Sequence, residues 1–234
     1  MNQISEKIKK LHLDILYPTV MVGTGKDNGS GVVIYSKKKK GNSRWETYII
    51  TNYHVIAWTL KAKPRRKINI TFFKYKRWSE NIGNKVISAT VVTYDRKRDL
   101  ALLKLYSKEK YIAKLHSKNI NNVYIFDEVY TCGCSLTYPP VITSGHISGL
   151  DNYQWLVTSP ITDGNSGGGV YLKNGQLIGI SCEVGVNNEI EVNYLCFLVP
   201  INSIYDFLEK KKFQFIYDSK FTSAQCEKMR KRKK

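Results

Sequence analysis

Short runs of β-branched and aromatic residues recur along this chain, each closed by glycine, asparagine, proline or a lysine-rich break. That spacing constrains the fold more than any other feature. Gly29-Ser30-Gly31-Val32-Val33-Ile34-Tyr35 and Trp45-Glu46-Thr47-Tyr48-Ile49-Ile50-Thr51 read as a hairpin, joined by a lysine-rich loop containing Gly41 and Asn42. Residues 67–74 and 85–94 give two more strands, and the apolar run after Asp99 completes a first barrel near residue 105. Residues 106–123 are polar and contain Asn119, Asn121 and Asn122, as suits a connection between two bodies. A second set of strands follows at about 126–132, 141–148, 154–158, 168–173, 176–184 and 190–199. Strands this short and this closely spaced predict barrels rather than an α/β sheet.

Helical spacing appears only near the ends. Ile4, Ile8, Leu11, Ile15 and Leu16 share one face with lysines between them, and Pro18 stops the pattern. Ile204, Phe207 and Leu208 mark a closing helix. The organisation is therefore an N-terminal helix over 1–16, a body over 17–208 with barrels at about 17–110 and 122–200, and a tail over 209–234. Beyond 208 periodicity is lost, and the tail reads as mobile. A chain of 234 residues with 42% hydrophobic content can bury two small fused cores.

Within the second set lies Ile161-Thr162-Asp163-Gly164-Asn165-Ser166-Gly167-Gly168-Gly169-Val170. Glycines let successive backbone N–H groups converge on one point, and a serine hydroxyl becomes a nucleophile only with a base and with donors waiting for the developing oxyanion. A glycine-rich turn by itself needs no chemistry, so the motif has to have partners. Two stand upstream: His54 ends the strand-like run Tyr48-Ile49-Ile50-Thr51-Asn52-Tyr53-His54, and Asp99 opens Leu100-Ala101-Leu102-Leu103-Lys104-Leu105. His12, His116 and His146 lack such a context. Asp95 is the rival acid, but only Asp99 opens the apolar run.

Thr51-Asn52-Tyr53-His54-Val55, Asp99-Leu100-Ala101-Leu102-Leu103-Lys104 and Gly164-Asn165-Ser166-Gly167-Gly168 together resemble the triad motifs of trypsin-like serine proteases, nearest the HtrA (Deg) branch. Phe126–Cys134, Val141–Ser148, Asn174–Ile180 and Phe197–Pro200 extend the resemblance over roughly 17–208. It implies an all-β, chymotrypsin-like fold of two packed six-stranded antiparallel β-barrels, with the site in the cleft between them. It also implies a serine endopeptidase acting through an acyl-enzyme: His54 as base, Asp99 as its orienting acid, Ser166 as nucleophile, and the Gly164 and Ser166 N–H groups as oxyanion donors. Pro160, Asp163, Ser181, Cys182, Glu183 and Cys196 would surround the primary specificity pocket. With no acid at its base, where Pro160 falls, a small or medium apolar side chain is expected there. Digestive trypsins carry aspartate before the nucleophile and this chain carries Asn165, so activation by N-terminal cleavage is not expected. No room remains for the PDZ module of many HtrA proteins.

Composition bounds partners and compartment. Lys plus Arg is 37 against 19 Asp plus Glu, a formal charge of +18, enough to hold a protein on nucleic acid or another polyanion. Clusters at Lys37–Lys40, Lys61–Lys67, Lys74–Arg77 and Arg96–Arg98 read as solvated faces. Lys228, Arg230, Lys231, Arg232, Lys233 and Lys234 are the candidate tether. No window reaches the ~18 apolar residues of a membrane span. The charged N-terminus and the five cysteines without framework spacing point to free thiols and an intracellular setting. No cofactor and no metal is expected, because the four histidines show no ligand spacing. Besides an endopeptidase, two functions remain: a protease-derived module that binds peptide or nucleic acid, and a protease recruited to a polyanion by its basic surface.

Overall fold

The computed structural model describes residues 4–25, 27–38, 43–61, 67–152, 154–187 and 190–232. The Gly41–Asn42 loop, the lysines at 39–40, the basic residues within 62–66, and Lys233 and Lys234 lie outside them. Helix α1 (Glu6–Leu11) begins at Ser5, whose hydroxyl accepts the Ile8 N–H, and continues into a π-helical turn over His12–Leu16. Only that turn inserts side chains fully into the body, through Ile15 and Leu16.

Strands β1 (Thr19–Gly23), β2 (Asn28–Lys38), β3 (Trp45–Thr51), β4 (Ile68–Lys76), β5 (Glu80–Asp95) and β6 (Leu100–Leu105) close a barrel in the order β1-β2-β3-β6-β5-β4. Every pairing in it is antiparallel. Strand alternation sends Val33, Ile49, Ala101 and Leu103 into the barrel. Their neighbours Val32, Tyr48, Ile50, Leu100 and Leu102 face outward into a second cluster with Tyr171, Leu177, Ile180 and Phe207. This explains why β3 and β6 read as unbroken apolar runs: both faces of each are covered.

After β7 (Lys114–Leu115), strands β8 (Glu128–Gly133), β9 (Val141–Leu150), β10 (Trp155–Val157), β11 (Gly169–Leu172), β12 (Gln176–Asn187) and β13 (Ile190–Pro200) form the second barrel. The ring runs β11-β8-β9-β10-β13-β12 and closes through β11–β12, with β7 added in parallel to the outer side of β12. Val129, Ile147, Trp155, Val157, Val170, Ile178 and Leu198 fill it. Two closed six-stranded antiparallel barrels are thus the architecture that the resemblance implies.

Two local expectations need correction. His54 does not close a strand: β3 ends at Thr51, and His54 lies in the first turn of helix α2 (Tyr53–Lys61). Nor does regular structure stop at 208, where a mobile tail was expected: the described residues 209–232 form helices and a buried turn. Helix α3 (Ile201–Lys210) is followed by a turn that buries Phe213, Phe215 and Ile216, and then by helix α4 (Ser223–Lys231). Phe215 packs edge-on against Tyr35 and Tyr48 of barrel one, at 5.3 and 5.5 Å between ring centroids. Thr222 and Gln225 form a capping box at the start of α4. Arg230, read from sequence as part of a tether, lies 4.1 Å from the Phe213 ring centroid and donates to the Lys212 carbonyl. Lys231 pairs with Glu227. Burying these aromatics is worth about 1.5–3 kcal/mol each, which a sequence without periodicity does not reveal.

Candidate active site

Barrel one supplies His54 and Asp99. Asp99 sits at the end of the β5–β6 turn with φ +53°, a left-handed conformation that is unfavourable for a side-chain-bearing residue. Buried Asn52 holds it there, its amide donating to the Asp99 carbonyl at 2.9 Å. Both Asp99 carboxylate oxygens meet His54: Oδ1 accepts the His54 backbone N–H at 2.9 Å, and Oδ2 lies 2.7 Å from Nδ1. The first bond satisfies an N–H that the first turn of α2 cannot pair internally. The second fixes the tautomer, since a carboxylate only accepts, and so leaves Nε2 of the neutral ring without a proton.

Asp95 has a different task. Its carboxylate accepts the N–H groups of Lys97 and Arg98 and pairs with the Arg98 guanidinium at 3.0 Å. Burial pushes this carboxyl up, but the Arg98 and Lys97 hydrogen bonds outweigh it and hold the group below the usual range. It builds the turn that presents Asp99. The other histidines bond elsewhere: His12 to Ser79 and the Ile8 carbonyl, and buried His116 to the Ser117 carbonyl. His146 is exposed on β9, and its backbone N–H meets the Thr158 hydroxyl.

Barrel two supplies the turn before β11 that carries Ser166. Gly164 (φ +91°) and Gly167 (φ +89°) both need the freedom of glycine. A Cβ on Gly164 would lie 2.4 Å from the Cys134 carbonyl oxygen, and one on Gly167 would lie 2.1 Å from that of Ser30. The Asp163 carbonyl takes the Leu136 N–H at 2.7 Å, and the Asn165 carbonyl takes the Gly168 N–H and the Ser181 hydroxyl, each at 2.8 Å. A trans peptide points its N–H opposite its carbonyl. The Gly164 and Ser166 N–H groups therefore face away from these anchors, and among the described residues neither has a hydrogen-bond acceptor.

The Ser166 hydroxyl donates to the Cys182 carbonyl at 3.0 Å, and no hydrogen bond joins it to His54 among the described residues. The neighbouring Cys182 thiol is no rival nucleophile, because burial pushes it up to about 12.

The residues expected around a specificity pocket divide in two. Cys182 reaches Ser166 through its carbonyl, Asp163 is exposed beside Gly164, and Glu183 is exposed and accepts from Gln154 at 3.0 Å. Pro160 is exposed and its carbonyl takes the Thr143 hydroxyl at 2.7 Å. Ser181 and Cys196 are buried: Ser181 braces the Asn165 carbonyl, and Cys196 belongs to the core of barrel two. Asn165 is buried too, its side-chain oxygen bonded to the Ser135 hydroxyl, so its side chain supports the turn from inside. The sequence reading missed Ser30 and Asn52 as contributors. Gly29 and Gly31 flank Ser30, and Asn52 lies two residues before His54, but the partners that give both their roles are distant in sequence.

The model of the trypsin-like peptidase domain matches residues 29–180, a stretch that holds His54, Asp99 and Ser166. The chain belongs to the trypsin-like peptidase family. This peptidase domain is 30% identical over 196 residues to an HtrA-like serine protease of Staphylococcus epidermidis, covering 75% of this chain and 29% of that protein. It therefore spans less than a third of that relative. Among solved structures it is similar to the HtrA-type protease AlgW with tripeptide, with a TM-score of 0.69, 19% identity, and coverage of 90% of this chain and 64% of that one. Deg5 gives a TM-score of 0.65 and 20% identity, with 88% of this chain and 95% of that one covered. At those identities the likeness is one of fold. All five cysteines of the chain are buried and outside any disulfide, no group of ligands among the described residues could hold a metal ion, and no described helix is long and apolar enough to cross a membrane.

Proposed function

We propose that the chain is a serine endopeptidase in which His54, Asp99 and Ser166 act as the triad. The observation that carries this is the pair of hydrogen bonds that His54 donates to the Asp99 carboxylate, which hold the imidazole in one position and one tautomer. Nε2 takes the Ser166 proton as Oγ attacks the peptide carbonyl, and Asp99 stabilises the imidazolium that forms. The carbonyl oxygen, now negative, is stabilised by the unengaged N–H groups of Gly164 and Ser166. The imidazolium then gives its proton to the departing amine, and water repeats the cycle on the acyl-enzyme.

The test is hydrolysis of a fluorescent casein by the wild type, Ser166→Ala and His54→Ala, with folding checked by circular dichroism. Turnover by the wild type alone is expected. Equal turnover by a folded Ser166→Ala would overturn the reading.

A further inference from the structure

Ser30 is fully buried in β2 of barrel one, yet most of its polar contacts are with barrel two. Its N–H donates to the Ser166 carbonyl at 2.7 Å. Its hydroxyl donates to the Gly164 carbonyl at 2.6 Å and accepts the Cys134 N–H at 2.7 Å. Its own carbonyl accepts the Thr51 hydroxyl at 2.7 Å and faces Gly167, where only a hydrogen fits. One residue thus touches the nucleophile turn at Gly164, Ser166 and Gly167, the first through its hydroxyl and the others through its backbone, and is itself held by the end of β3, the strand that leads to Asn52 and His54.

We propose that Ser30 is the positioning residue of the oxyanion site, an inference that rests on the triad reading above. With the Gly164 carbonyl fixed by the Ser30 hydroxyl, the Asn165 N–H points the other way, where the Thr162 carbonyl takes it at 3.0 Å. That peptide lies between the two that carry the oxyanion donors, so its rotation would turn both Gly164 and Ser166. The Cys134 N–H on the same hydroxyl ties in the segment whose Leu136 N–H holds the Asp163 carbonyl. A hydroxyl suits the place because it donates once and accepts at the same atom within a one-carbon reach. Alanine would leave the buried Cys134 N–H and the part-buried Gly164 carbonyl without this partner. Ser30 thereby sets the oxyanion donors relative to the barrel that holds the base, although it touches no reacting atom.

The test compares wild type with Ser30→Ala, Ser30→Cys and Ser30→Thr in hydrolysis of p-nitrophenyl acetate. Cysteine keeps the volume with a poor donor, and threonine keeps the hydroxyl. We expect kcat to fall about 10- to 100-fold in Ser30→Ala and Ser30→Cys with KM within about twofold, and Ser30→Thr to recover most of it. The NMR titration of His54 should stay as in the wild type, because the Asp99 bonds are untouched. Hydrogen exchange of a peptide spanning 161–168 should quicken in Ser30→Ala, a readout that does not require turnover. Wild-type kcat and exchange in Ser30→Ala and Ser30→Cys would overturn the inference, as would a kcat loss accompanied by a shifted His54 titration. An inactive wild type would instead count against the triad reading, and exchange would still decide the role of Ser30.

Discussion

The two barrels prepare their halves of the site differently. In barrel one the side chains are set: Asp99 grips His54 at two atoms, and Asn52 grips Asp99. In barrel two it is the backbone that is set. The carbonyls preceding the Gly164 and Ser166 N–H groups are pinned, while the Ser166 hydroxyl rests on the Cys182 carbonyl and makes no hydrogen bond to His54 among the described residues. The difference teaches that a fold fixes the expensive part of each half. A wrong tautomer or a turned peptide plane is costly to correct during reaction, whereas a serine rotamer changes with little barrier.

The largest way to break the comparison is to remove a proposed reacting group. Ser166→Ala and His54→Ala should each lower kcat by up to about 10⁶-fold, and the double variant should lose little more, measured in one ester assay. Additive losses would mean the two halves do not act together.

Asp99→Asn should come next, at about 10⁴-fold in kcat with the fold intact, because an amide facing Nδ1 can impose the wrong tautomer. Asn52→Ala should be milder, about 10- to 100-fold, by releasing Asp99 from its left-handed conformation. It should also lower unfolding free energy by about 1–3 kcal/mol, read by urea denaturation.

The smallest effect sharpens the comparison within barrel one. Asp95→Asn should leave kcat within a few-fold, since Asp95 shapes the turn and it is Asp99 that meets His54. Its depressed pKa means Asp95 stabilises the fold above the carboxyl pKa of the unfolded chain, about 3.9, and that this is lost as pH falls through the lower folded value. For a partly exposed pair the stabilisation is about 1 kcal/mol or less. Melting temperatures at pH 6 and pH 3 should therefore differ slightly less in Asp95→Asn than in the wild type.

Much of the fold was readable in the sequence because strand periodicity and turn residues are local. The runs at Gly29–Tyr35 and Trp45–Thr51 fall within β2 and β3, and His54 and Asp99, read from separate motifs, lie in hydrogen-bond contact. What escaped depends on distant partners. The hydroxyl of Ser30 finds its acceptor at Gly164, and nothing next to Ser30 announces it. Phe213 and Phe215 are ordered by Tyr48, so a segment without periodicity folds onto barrel one. Helix α2 was hidden because the apolar run of β3 continues almost directly into Val55 and Ile56.

The most direct measurement is peptide mapping of the purified protein after reaction with a fluorophosphonate, which labels a serine only where a base and oxyanion donors activate it. The account predicts a single adduct on Ser166, formed much more slowly in Asp99→Asn and absent in Ser166→Ala. A folded wild type that carries no adduct, or carries it on another residue, would contradict it.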